Sequence, residues 1–168
     1  MSESFTHRDG AFFCEDVPAE AIAVAAGTPT FVYSAGAIRD RYRRLSAAIE
    51  GCRARVHYSV KANANRAVIS LLRELGSGVD VVSGGELARA QRAGFSGHDI
   101  VLGGVGKTAG ELRDALQAGV KLINIESRGE LDLVNEVARE LGVVAPLGIR
   151  VNPEVTVTNP HHYIATGE

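Results

Sequence analysis

The 168-residue chain has little of what marks specialised protein classes. It carries two cysteines, Cys14 and Cys52. Two thiols make no disulfide framework and no metal-type spacing, and their use fits a reducing cytoplasm. No stretch approaches the roughly 18 apolar residues of a membrane span, and the N-terminus lacks the basic-then-apolar pattern of a secretory signal. A strong excess of either charge is also missing. The formal net charge of −2 offers no attraction to nucleic acid or to an anionic membrane. The densest basic run, Arg39, Arg41, Arg43 and Arg44, shares a predicted helix with Asp40 and Glu50 and reads as a solvated face. There is no Gly-x-Ser-x-Gly run, so a hydrolase nucleophile elbow has no support. His161 and His162 are adjacent, would point to opposite faces of an extended segment, and have no acid or cysteine cluster near them, so they read as a loop pair rather than metal ligands.

What is present is an α/β rhythm. Hydrophobic residues make up 45% and charged residues 23%, the balance of a globular domain. A strand over "GAFFCEDV", a short helix over residues 18–27 and an extended "TPTFVYS" come first. A helix is predicted over 36–50, with Ile38, Tyr42, Leu45 and Ile49 at helical spacing. Strands at 54–60, 79–83, 99–103, 121–127 and 145–151 then alternate with helices at 66–75, 85–94, 109–119 and 129–142. These four helices stop at glycine, which accepts the left-handed cap without steric cost. The strands are short apolar runs, as expected of parallel strands under helices. A repeat of this length suits a (β/α) barrel, which needs eight strands, or a doubly wound sheet, which closes with fewer.

Two stretches bear on chemistry. "LGGVGKT" (102–108) fails the Walker pattern because Val101 stands where a glycine is required. Gly104-x-Gly106-x-x-Ala109 with Glu126 beyond it matches a dinucleotide fingerprint, which would make the chain a small NAD-binding Rossmann-like domain. The competing stretch is "HYSVKANAN" (57–65). Alternation places His57, Ser59 and Lys61 on one face, with Lys61 last, at the carboxyl end where parallel α/β folds bind ligands. A lysine buried there would have a lowered pKa and could attack a carbonyl. Asp80 and Arg150, on neighbouring strand ends, could orient a cofactor, with Ser83 and Glu86 just beyond Asp80.

"GTPTFVYS", "YSVKAN", "GSGVDVVSGGEL", "LGGVGKT", "INIES" and "RVNPEV" occur in this order. Together they resemble the diaminopimelate decarboxylases, pyridoxal-phosphate enzymes with an alanine-racemase-like barrel. The resemblance spans about residues 10–168 and implies an α/β fold: part of a (β/α)8 TIM-type barrel, with about five of eight strands visible, and an N-terminal strand that joins a separate β-domain. The division expected is 1–30 for the strand and short helix and 31–168 for the barrel. Lys61 matches the lysine that carries pyridoxal 5′-phosphate. Asp80 and Arg150 match positions close to the cofactor, and Ser59 is expected beside it. The implied reaction removes CO2 from meso-diaminopimelate to give L-lysine. Ornithine, arginine or carboxynorspermidine decarboxylases are the related alternatives, and a non-catalytic binding module is another. The resemblance also implies a small-molecule amino-acid substrate, a homodimeric full-length family and a cytoplasmic setting. It makes this chain an N-terminal part, without the family's later glycine-rich phosphate loop and β-domain. On that reading it does not decarboxylate at an enzyme-like rate alone, and it exposes two sheet edges.

Overall fold

The computed structural model describes residues 4–152; His161 and His162 lie outside them. Three short antiparallel strands come first, β1 (Phe5–Arg8), β2 (Ala11–Cys14) and β3 (Val17–Pro18), in that order across the sheet. The sequence predicts one strand where β2 and β3 stand. Glu15 turns the chain between them with a left-handed φ of 55°. Helix α1 (Ala19–Ala26) follows, and "TPTFVYS" forms no strand. Helix α2 (Ala35–Ala48) is capped by Ser34, whose hydroxyl accepts from the Ala37 N–H. Glu15 ties the small sheet to this cap, accepting from Ser34 Oγ at 2.6 Å and from the Gly36 N–H at 2.7 Å.

The rest alternates strand and helix: β4 (His57–Ser59), α3 (Arg66–Glu74), β5 (Gly78–Val81), α4 (Gly84–Arg92), β6 (Ile100–Leu102), α5 (Ala109–Gln117), β7 (Leu122–Ile125), α6 (Arg128–Leu141) and β8 (Leu147–Ile149). All neighbouring pairs are parallel, and the order is β4-β5-β6-β7-β8. This order decides between the two architectures. A doubly wound sheet reverses its strand order at a switch point; a barrel arc runs in sequence order. No reversal occurs among the five strands, so the chain forms an arc of a (β/α)8 barrel and the Rossmann-like reading is overturned.

The predicted helix stops hold. Gly76, Gly94, Gly119 and Gly142 follow α3 to α6 with φ between 65° and 92°, the left-handed region that ends a helix cheaply in glycine.

Alternation along the strands separates two faces. Val79, Val81, Ile100, Leu102 and Ile123 point under the helices and are almost wholly buried, against Ile69, Leu87, Leu112 and Val134. Burying each such side chain contributes about 1.5–3 kcal/mol. Ser59, Asp80, Val101 and Leu122 form a row on the opposite, concave face, and all are half-buried. At β8 the outward residue Ile149 is 77% exposed, because no described helix covers that end.

The tightest close approach lies away from the site. Gly97 opens the turn before β6, and its carbonyl accepts from the Lys121 N–H at 3.0 Å. A Cβ there would collide with the carbonyl oxygens of Ala118 and Gly119, which are backbone and cannot rotate away. Gly97→Ala is expected to cost roughly 3 kcal/mol in a urea unfolding curve. Gly110→Ala, where an added Cβ meets only Thr108 Oγ1 at 3.9 Å, should leave stability unchanged or raise it. Equal midpoints for the two variants would contradict this packing.

Candidate active site

A cleft of about 470 Å³ opens at the carboxyl ends of the parallel strands, lined by Lys61, Asp80, Gly103, Gly104, Asn124, Glu126 and Arg150 among others. Lys61, Asp80 and Arg150, singled out in the sequence, thus come together in one place. Ser59 sits one layer below and donates its hydroxyl to Asp80 Oδ2 at 3.3 Å.

Lys61 differs from expectation in one respect. The ladder ends with Ser59 opposite Asp80, and residues Val60–Ala62 form a 3-10 turn. Val60 turns into the core, while Lys61 stands beyond the ladder and is exposed. Burial of its amine is therefore absent among the described residues, and its case rests on position. Arg150 pairs with Glu126, Nη1 to Oε1 at 3.3 Å, rather than with Asp80. Ser83 and Glu86 act as caps: Ser83 Oγ accepts from the Glu86 N–H at 3.2 Å, and Glu86 Oε2 from the Val82 N–H at 2.9 Å.

Of the residues that hold the rim, Ser83 and Glu86 stand out beside Asp80 in the sequence and Glu111 and Glu130 do not, although a signal for them exists. Ser83-Gly-Gly-Glu86, Thr108-Ala-Gly-Glu111 and Ser127-Arg-Gly-Glu130 repeat one pattern at the start of α4, α5 and α6. Serine or threonine followed three residues later by glutamate is the capping-box signature. Here Glu111 and Glu130 also reach the preceding unit. Glu111 Oε1 accepts from the Gly84 N–H at 2.8 Å and Oε2 from the Thr108 N–H at 3.0 Å. Glu130 Oε1 accepts from the Gly106 N–H at 3.0 Å and Oε2 from the Glu126 N–H at 2.9 Å. Lys107, inside the same glycine run, is folded inward, 7% exposed, with Nζ 3.1 Å from Glu130 Oε2. Gly104 has φ 87°, and a Cβ there would stand 2.9 Å from the Val82 carbonyl oxygen. The glycine run is a βα turn packed against the neighbouring one.

These bonds set the titration of the rim. The Gly84 N–H, then that of Thr108, holds the Glu111 carboxyl below the usual range. Burial pushes Glu130 up, but the Glu126 N–H and the Lys107 ammonium outweigh it and the net direction is down.

The family described as "Pyridoxal-dependent decarboxylase, pyridoxal binding domain" matches residues 35–168. This chain belongs to the pyridoxal-dependent decarboxylases. The diaminopimelate decarboxylase of Pseudomonas fluorescens is 48% identical over 98% of this chain and 40% of its own length. Solved diaminopimelate decarboxylases agree. The M. jannaschii protein in complex with L-lysine has a TM-score of 0.84 at 39% identity, covering 90% of this chain and 36% of that one. The Helicobacter pylori protein, also complexed with L-lysine, has a TM-score of 0.81 at 36% identity, covering 87% and 37%. The chain thus spans about 40% of the length of the curated relatives it matches. Within this decarboxylase domain no helix among the described residues is long and apolar enough to cross a membrane.

The donor set fits the family's cofactor. An amine for its carbonyl, a guanidinium and two carboxylates stand round one cleft, and Gly103 and Gly104 line it without side-chain bulk.

The glutamate clamps make stability fall with acid. Glu111 and Glu130 have folded pKa values below the unfolded value, which is about 4.3. Their contribution is complete above that pH and disappears as pH falls through the folded values. The thermal midpoint should therefore drop between neutral pH and pH 4 or below, and Glu111→Gln should flatten the drop while lowering the neutral midpoint. A variant with the same acid slope as the parent would contradict the assignment.

Proposed function

We propose that this chain forms the cofactor-binding wall of a diaminopimelate decarboxylase, the enzyme that releases CO2 from meso-diaminopimelate to leave L-lysine. The observation that carries the reading is the convergence of Lys61, Asp80 and Arg150, from three separate strand ends, on one cleft. Family membership and the lysine-bound relatives support it.

The lysine inventory singles out the anchor. The chain has three lysines. Lys107 is committed to Glu130, and Lys121 precedes β7 at the amino ends of the strands. Lys61 alone stands at the cleft. Its amine would hold pyridoxal 5′-phosphate through the cofactor's carbonyl group. Asp80 and Arg150, which line the same cleft, would orient it by charge. Ser59 fixes the Asp80 carboxylate through its hydroxyl. When bound, the cofactor supplies the electron sink for the carbanion left by CO2.

The same reading gives a boundary near residue 30, between the N-terminal strands with α1 and the barrel arc. It also gives a homodimeric full-length assembly and a cytoplasmic setting, which the free thiols of Cys14 and Cys52 suit.

Incubation with pyridoxal phosphate, borohydride reduction and peptide mapping test the reading. The label is expected on Lys61, and Lys61→Met should abolish it while the circular-dichroism spectrum is unchanged. Label confined to Lys121, or none on a folded sample, would overturn it.

A further inference from the structure

Glu130 makes more bonds than a helix cap requires. The residue is 9% exposed, and each of its carboxylate oxygens accepts twice. Oε1 accepts from the N–H of Gly106 at 3.0 Å and of Lys107 at 3.4 Å. Oε2 accepts from the Glu126 N–H at 2.9 Å and from Lys107 Nζ at 3.1 Å. Lys107 Nζ also donates to the Gly104 carbonyl. Oε1 therefore holds the loop after β6, and Oε2 joins that loop, through Lys107 Nζ, to Glu126, the residue after β7. Gly104 of that loop and Glu126 are both walls of the cleft, and Glu126 receives Arg150.

We infer that the Lys107–Glu130 pair is a positioning device for the cofactor cleft, fixing Gly104 and Glu126 relative to each other and so setting where Arg150 is held. The inference rests on the cofactor reading proposed above. The geometry makes it specific to a carboxylate. All four partners are donors, and each oxygen faces two of them. An amide at position 130 satisfies one pair and turns its own N–H groups toward the other. Whichever way it lies, one pair of the four bonds that fix the loop after β6 against Glu126 is lost. The ammonium has a separate part. It offsets the buried negative charge and closes the loop on itself through Gly104. Exchanging the two charges does not recreate the arrangement, because an ammonium at 130 would face three backbone N–H groups.

The clamp differs from its neighbours in this respect. Glu86 reaches the backbone of its own turn alone, at Val82. Glu111 reaches Gly84, inside the first turn of α4 rather than at the cleft. Of the three repeated glutamates, Glu130 is the one whose two oxygens hold backbone next to or within two lining segments.

The test uses the 168-residue chain with Glu130→Gln, Lys107→Met, the exchange Lys107→Glu/Glu130→Lys, and Val134→Ala as a core variant on the same helix that removes none of the four bonds to Glu130. Two readouts are needed. The first is amide hydrogen exchange at Gly106 and Glu126 without cofactor. The second is the pyridoxal phosphate concentration giving half-maximal borohydride-trapped label at Lys61. Glu130→Gln is expected to speed exchange at one or both amides and to raise the half-maximal concentration about tenfold or more, since a small misplacement of a binding wall costs that much. The charge exchange should not restore either value. Val134→Ala, compared at equal loss of thermal midpoint, should leave the trapping concentration at the parent value. Full rescue by the charge exchange, or an equal trapping defect in Val134→Ala, would overturn the inference. If the parent chain itself takes no label, the cofactor reading fails, and amide exchange still decides the coupling: unchanged protection in Glu130→Gln contradicts it.

Discussion

Period-two alternation along five parallel strands is the constraint on which the rest depends. One parity carries Val79, Val81, Ile100, Leu102 and Ile123 into a dry layer beneath the helices. The other carries Ser59, Asp80, Asn124 and Arg150 to a concave face where polar groups stay near water. A slip of one residue in any strand would exchange the two sets, burying an aspartate and exposing a valine, so the register is strongly specified. Stability and chemistry thereby occupy opposite faces of one sheet. That lets the concave face keep charged groups whose burial in the core would be prohibitive.

Because the strands are only three or four residues long, the ladder ends below most of the cleft. Lys61, Gly103, Gly104, Glu126 and Arg150 all lie past the last paired residue of their strand. Backbone at those positions needs donors and acceptors from elsewhere. The repeated glutamates at the helix starts supply acceptors, and they do so across units as well as within them. The rim is thus a network of carboxylates bonded to N–H groups, sensitive to acid in a way the apolar layer is not. Glu15, which joins the small N-terminal sheet to the cap of α2, uses the same device, and the Ser34 hydroxyl, then the Gly36 N–H, lowers its pKa too.

Helix positions and the glycine stops after α3 to α6 were legible in the sequence, because apolar spacing and left-handed caps are local properties. The convergence of Lys61, Asp80 and Arg150 was legible from alternation together with the resemblance. The choice between barrel arc and doubly wound sheet came from the resemblance, and the strand order bears it out; periodicity alone could not make it, since strand order is set by packing between units and leaves no local mark. The conformation of Lys61 was not legible, for a related reason. Alternation was carried two residues beyond Ser59, where the ladder had already given way to a 3-10 turn. The clamps were visible as a threefold Ser/Thr-x-Gly-Glu repeat. Their reach into the preceding loop was not, because it depends on how closely adjacent units pack.

The central claim is that the carboxyl-end face of the sheet, and no other surface, receives pyridoxal 5′-phosphate. Backbone chemical-shift mapping of the isotope-labelled chain during titration with the cofactor tests it most directly. The account predicts shifts concentrated at Lys61, Asp80, Gly103, Gly104, Glu126 and Arg150, with none at Lys121 or Gly97 at the opposite end of the strands. Shifts centred on the amino ends of the strands, or on the face between α2 and β4, would contradict it.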